Sequence, residues 1–237
     1  MTKLTGIKAL AFDAYGTVFD VHSVAQLADD MYPGKGQTLS QMWRSKQLEY
    51  MFLRSLMGRY IPHNENTEAA LTYCMQYLGL DGGQQARAAL MAAYEKLSPF
   101  ADAKATLPIL HQLKTAILSV GTPALLQRLV TNAGVESHFD KLLSVDSVKI
   151  YKPHPRTYQL ATDAFGLARH EIAFVTSNYF DVAGAVAFGF QVIWINRAAA
   201  LPDELGLKPS AELKSIADIP ALLGLPAEAV PNQSKAA

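Results

Sequence analysis

The sequence predicts an α/β protein: a doubly wound parallel sheet, Rossmann-like in arrangement, with a helical cap domain inserted after its first strand. Three observations carry this reading. An apolar strand at 8–12 runs straight into the turn Asp13-Ala14-Tyr15-Gly16-Thr17, a long block from about 40 to 97 shows only helical periodicity, and from 101 onward helix and strand patterns alternate. Strand–helix alternation implies crossover connections and therefore parallel strands. The expected division is a core of 1–16 and 99–225, a cap of 17–98, and a flexible tail of 226–237 rich in Ala and Pro.

The elements follow in order. After Thr17, the residues Val18, Val21, Val24, Leu27 and Met31 recur at three- and four-residue spacing, which predicts a helix that Pro33-Gly34 ends. Further helices are expected over 39–53, 67–78 and, beyond the Asp81-Gly82-Gly83 turn, 84–97. The alternating part reads as a helix over 105–112, a strand over 115–120, and a helix over 123–133 with Pro123 in its first turn. A short strand over 142–145, a helix over 155–165 and strands over 172–176 and 190–195 complete it. Open α/β sheets do their chemistry just beyond the carboxyl ends of strands, so Asp13 is the first candidate nucleophile.

Composition narrows the classes of function. The 237 residues are 50% hydrophobic, enough for a substantial core. Lys and Arg number 21 against 21 Asp and Glu, so no net charge draws the chain to nucleic acid or an anionic membrane. The longest apolar run is interrupted by glycines and Gln191, so neither a membrane span nor a signal peptide is expected. Cys74 is the single cysteine; no internal disulfide can form, which fits a reducing, cytoplasmic setting.

Four segments far apart in the chain share a pattern: Phe12-Asp13-Ala14-Tyr15-Gly16-Thr17, Leu118-Ser119-Val120-Gly121, Lys152-Pro153, and Ser177-Asn178-Tyr179-Phe180-Asp181. Together they resemble the motif set of the haloacid dehalogenase superfamily. Phosphatases of that superfamily usually carry a second Asp two residues after the first; here Tyr15 stands there. They also hold magnesium with paired carboxylates in the last motif, where this chain has Ser177 and Asp181, and a hard cation calls for more carboxylate oxygen than that. Both departures point to a resemblance to the metal-free L-2-haloacid dehalogenases, which extends to Trp43-Arg44-Ser45-Lys46-Gln47-Leu48-Glu49-Tyr50 in the cap.

The resemblance implies a division of roles. Asp13 would attack a carbon and form an ester that water then hydrolyses, and Lys152 would balance its charge. Arg44 would orient the substrate carboxylate or stabilise the departing halide. Ser119, with the amides of Ala14 and Tyr15, would hold the substrate carboxylate, and Thr17 would support Asp13. Asn178 and Asp181, with the hydroxyls of Thr176 and Ser177, would position Lys152 and the hydrolytic water. Tyr158 matches a tyrosine of the family pattern, and Phe180 falls in the halide cradle. No cofactor or metal is implied; the expected partners are a small 2-haloacid and a second copy of the chain, as a homodimer, with neither nucleic acid nor membrane.

Two positions depart from the pattern. Val120 replaces an asparagine, removing an amide donor from the halide cradle, a loss worth on the order of 2.7–4 kcal/mol judged from oxyanion-hole deletions. His63 lies where the family tends to place an aromatic wall residue. Three readings therefore stand side by side: an L-2-haloacid dehalogenase, a superfamily phosphatase acting on a small phosphorylated metabolite, and a weakly active or non-catalytic relative.

Overall fold

The computed structural model describes residues 3–21, 23–80 and 83–226. Within them lie the strands β1 (Ala9–Phe12), β2 (Lys114–Ser119), β3 (Lys141–Ser144), β4 (Ile172–Thr176), β5 (Gln191–Ile195) and β6 (Ala211–Leu213). They form one sheet in the order β3-β2-β1-β4-β5-β6, with every neighbouring pair parallel. The chain leaves β1 toward one edge through β2 and β3, then returns to the other side of β1 with β4. The carboxyl ends of β1 and β4 thus flank the point where strand order reverses, which is where such sheets open a crevice.

Both faces of the sheet are covered, and the apolar strands are why. Side chains alternate along a strand: Leu10 and Phe12 enter one buried cluster, Ala9 and Ala11 the other. The first cluster is closed by α5 (Ala101–Leu110) and α6 (Pro123–Ala133) through Leu107, Leu110, Leu125 and Leu129. The second is closed by α7 (Pro155–Phe165) and α8 (Tyr179–Phe188). The small Ala9 and Ala11 leave room there for Tyr158, Phe174, Phe188 and Phe190, which meet mostly edge to face. A short α9 (Ile219–Leu223) follows β6.

Between β1 and α5 stand four helices: α1 (Ser23–Met31), α2 (Gly36–Leu56), α3 (His63–Tyr77) and α4 (Gly83–Tyr94). On α2, Gly36, Leu39, Trp43, Gln47 and Met51 form a buried stripe at three- and four-residue spacing. Trp43 anchors it by donating Nε1–H to the Thr67 carbonyl of α3 at 2.8 Å, its ring edge-on to Tyr94 of α4. Arg44, next in sequence, therefore sits at the margin of the stripe, half-buried.

The helix expected from Val18 starts later, at Ser23. Residues 17–20 are instead stitched to 98–100: Asp20 N–H donates to Ser98 O and Phe100 N–H to Val18 O, each at 2.9 Å. Val18 and Val21 are buried where the chain enters and leaves the helical block, so their spacing reflects burial there and not a helical turn. The helices over 123–133 and 155–165 and the strand over 172–176 have their expected bounds. The helix expected over 105–112 begins earlier, at Ala101, and that expected over 84–97 ends at Tyr94. β6, three residues long, is too short to show a period. The Asp81-Gly82 part of the predicted turn and residues 227–237 of the predicted tail lie outside the described residues. Among the described residues no helix is long and apolar enough to cross a membrane.

Candidate active site

Asp13 follows β1 directly, its amide bonded to Val175 O of β4 at 2.9 Å. The chain then curls back: the amides of Val18 and Phe19 both reach Ala14 O, and Gly16 adopts φ +83°, a conformation that costs an L side chain roughly 1–2 kcal/mol. This brings Thr17 Oγ1 within 3.0 Å of Asp13 Oδ2, to which it donates. From the end of β4, Ser177 N–H donates to the same Thr17 oxygen at 2.8 Å. Asn178 Nδ2 donates to Asp13 Oδ2 at 2.9 Å and to Tyr15 O at 3.1 Å.

The other carboxylate oxygen faces a buried cation. Lys152 Nζ lies 3.1 Å from Asp13 Oδ1 and 2.9 Å from Asp181 Oδ2, and the residue is 1% exposed. Asp181, in the first turn of α8, accepts Tyr158 OH on Oδ1 at 2.6 Å. Burial works against the ammonium, but Asp13 and Asp181 outweigh it and raise the Lys152 pKa. Two carboxylates share one ammonium, and the imbalance shows on the fully buried Asp181. Burial, with the Asp13 charge adding, pushes its carboxyl up to about 6, while Lys152 and Tyr158 oppose the rise.

The helical block contributes Arg44. Its Nη2 donates to Asn178 Oδ1 at 3.2 Å and its Nη1 to Gln47 Oε1 at 2.7 Å. Asn178 is thus fixed from both ends of its amide, one end on Arg44 and the other on Asp13. Gln47 passes the constraint on through Nε2–H to Thr67 Oγ1, which donates to His63 O, each at 2.7 Å. Phe180, half-buried, meets Phe52 of α2 with ring centroids 5.2 Å apart across the seam between helices and sheet.

The structure brings Asp13, Thr17, Lys152, Asn178, Asp181 and Arg44 into one bonded network. Other predicted residues stand around it. Ala14 and Tyr15 form the buried turn after Asp13, and Ser119 is buried at the end of β2 with its Oγ accepting Gly121 N–H at 3.2 Å. Val120 beside it is buried and apolar. The hydroxyls of Thr176 and Ser177 do not reach Lys152: the first accepts Asn178 N–H at 3.1 Å, the second Arg197 Nη1 at 3.2 Å. Tyr158, expected among the substrate contacts, stands behind Asp181, its hydroxyl taken by that carboxylate.

Sequence reasoning missed Gln47, Arg197 and Asp102. Arg197, two residues past β5, donates to Thr17 O at 3.1 Å and to both oxygens of Asp102 at 3.0 Å, with its guanidinium 4.0 Å from the Phe100 ring centroid. Asp102 also accepts Ser215 Oγ and Ile216 N–H. Burial would raise the Asp102 carboxyl, but Arg197 and the Ile216 amide prevail and hold it below its ordinary value. The available clue was an arginine just beyond a strand end, where this sheet gathers its polar residues. Arg197→Gln is expected to lower turnover about tenfold by loosening Thr17 and Ser177, and stability by about 2 kcal/mol, the worth of a charge-assisted hydrogen bond. Initial rates and urea unfolding check both.

Among the described residues no three His, Cys, Asp or Glu side chains gather as a metal ion would require. The space between the Asp13 and Asp181 carboxylates is filled by the Lys152 ammonium.

A family model described as haloacid dehalogenase-like hydrolase matches residues 7–189. The chain belongs to the haloacid dehalogenase-like hydrolases. It is 48% identical over 205 residues to haloacetate dehalogenase H-2 of Moraxella sp. (strain B), covering 86% of this chain and 92% of that one. It is 47% identical over 212 residues to the (S)-2-haloacid dehalogenase of Pseudomonas sp. (strain YL), covering 89% and 91%. The structure of the L-2-haloacid dehalogenase of Xanthobacter autotrophicus with chloropropionic acid covalently bound superimposes with a TM-score of 0.86 at 40% identity, covering 92% of this chain and 98% of that one. Within the matched segment of this haloacid dehalogenase-like hydrolase lie Asp13, Tyr15, Lys152, Asn178 and Asp181.

Proposed function

We propose that the protein hydrolyses short L-2-haloalkanoic acids to D-2-hydroxy acids. The observation that carries this is a buried carboxylate at a strand end, held by Thr17 and Asn178 on one oxygen and by the Lys152 ammonium on the other. An Asp13 oxygen attacks C2 from the side opposite the halogen; the C2–O bond forms, and the halide leaves with the electrons of the broken bond. Water then adds to the carbonyl carbon of the resulting ester, giving its proton to Asp181, whose raised pKa suits a base working near neutrality. The alcohol departs with the original Asp13 oxygen, taking up a proton, and C2 is inverted.

In this reading Ser119 and the Ala14 and Tyr15 amides hold the substrate carboxylate, Arg44 faces the leaving group from the cap, and Phe180 walls the site. Segment 17–98 serves as the cap over a core of 1–16 and 99–225. Lys152 supplies the positive charge, so turnover needs neither cofactor nor metal. A cytoplasmic setting fits the lone, buried Cys74. A homodimer fits the apolar side chains left exposed on α2, on Met57 just after it and on α3: Leu53, Leu56, Met57, Tyr73 and Tyr77.

The test is chloride and lactate release from L- and D-2-chloropropionate in EDTA. Chloride from the L-enantiomer alone, with D-lactate as product, is expected. Silence toward both, with phosphate released from phosphorylated metabolites once magnesium is added, would sink the reading.

Rates are expected to fall as pH drops through about 6, where Asp181 takes up a proton. Tyr158→Phe removes a donor that holds this pKa down, so the acid limb should move to higher pH. Stability changes in the opposite sense over the same range. The folded pKa lies above the unfolded value near 3.9, so the native state binds the extra proton and the Asp181 contribution is lost as pH rises from about 4 to about 6. A pH–rate profile and urea midpoints across that window read both effects.

A further inference from the structure

His63 opens α3 and is buried, yet neither Nδ1 nor Nε2 has a hydrogen-bond partner. Its ring lies 5.2 Å from the Tyr15 ring, whose hydroxyl is likewise buried and unpartnered. A small cavity touches both, with Thr67, Met91, Tyr94 and Leu125 around it. Gly121 makes room for the Tyr15 hydroxyl, because a Cβ there would come within 2.9 Å of it. Buried polar atoms are nearly always bonded, so three orphans in one place call for a ligand.

The chemistry of the place narrows what that ligand is. An in-line displacement at C2 puts the leaving group on the side opposite the attacking oxygen. Asp13 attacks from the end of β1, so the halide emerges toward the helical block. Arg44 and His63 both come from that block, and Arg44 reaches out of it to Asn178 at the end of β4. A neutral imidazole carries one N–H and one lone pair, and burial followed by the nearby Arg44 charge lowers the His63 pKa to about 3, so the ring stays neutral at working pH.

Building on the dehalogenase reading, we propose that the His63 N–H donates a hydrogen bond to the departing halide beside Arg44. No proton is transferred: the C2–halogen electrons leave with the halide, and His63 stabilises the charge as it develops. The donor is neutral, so it binds the anion without adding a second buried cation beside Arg44.

Wild type, His63→Phe and His63→Gln are compared with L-2-chloro- and L-2-bromopropionate, and each is titrated with bromide by calorimetry. Phenylalanine keeps the ring and removes the donor. It should lower kcat/KM about 30-fold with the chloro substrate and less with the bromo substrate, because chloride is the poorer leaving group and depends more on preorganised donors. Bromide should bind about tenfold more weakly, glutamine should restore most of both losses, and His63→Phe should melt no lower than wild type because the orphan atoms are gone. Equal losses with both substrates and unchanged bromide affinity would mean a packing wall only, and would overturn the proposal. A wild type that releases no halide but binds bromide through His63 would refute the dehalogenase reading while keeping the anion site; loss of both would refute both.

Discussion

Asp13→Asn is expected to lower halide release by a factor on the order of 10⁴ or more, as removal of a covalent nucleophile does elsewhere. The substitution keeps the size of the side chain and removes the charge that attacks carbon. It also places an amide NH₂ where the carboxylate now accepts from Thr17 and Asn178 or from Lys152, so one donor will face another. The fold should survive that, because charge balance improves: Asp13, Asp181 and Lys152 together carry one excess negative charge, and the variant leaves Lys152 and Asp181 as a matched pair. Urea midpoints should therefore shift little while chloride release disappears. A single turnover of the wild type in ¹⁸O-water probes the ester directly: the first lactate formed should be unlabelled, because its new oxygen comes from Asp13. Label in that first product would mean that water attacks C2 itself, and Asp13 would lose its role.

The parallel sheet was legible because apolar strands alternate with helices whose ends are punctuated. The helix over 123–133 shows how local chemistry sets bounds. Pro123 opens it, Thr122 Oγ1 accepts Leu125 N–H at 3.4 Å, and Gly134 closes it at φ +66°. The helix expected from Val18 failed for the complementary reason. Its apolar spacing came from contacts with 98–100, residues about eighty positions away, and no local window records such a pairing.

The site divides along the same line. Asp13, Thr17, Asn178 and Asp181 lie at the carboxyl ends of two adjacent strands, where polar residues in an apolar frame stand out. Arg197 and Asp102 come from separate elements and matter only through each other, so neither forms a motif. Gln47 lies within the 43–50 stretch that carries the resemblance, but its bond to Arg44 depends on helical i, i+3 geometry and its bond to Thr67 on helix packing. Tyr158, expected among the substrate contacts, instead donates its hydroxyl to the carboxylate that faces Lys152. Residue types in a motif announce a charge; distances decide which partner each of them meets.

Lys152→Met should be the most destabilising single change in the site, by about 3–5 kcal/mol at neutral pH, with activity down on the order of 10³. Methionine matches the length of the lysine stem and can rest on the Phe174 ring, whose centroid lies 4.8 Å from Nζ, so packing is largely kept. What is lost is the cation between two buried carboxylates, and like charges that close cannot both stay ionised. One carboxylate must bind a proton at neutral pH. The folded pKa of the pair then lies above the unfolded value, and the penalty grows as pH rises through the interval between them and shrinks on acidification. Urea unfolding at pH 7.5 and 5.5 reads this directly: the variant should approach wild type at the lower pH. A variant within 1 kcal/mol of wild type at pH 7.5 would mean that water or a mobile side chain already screens the pair. Lys152→Arg should not rescue activity, because a planar guanidinium cannot reproduce a point charge set between two carboxylates in a position 1% exposed.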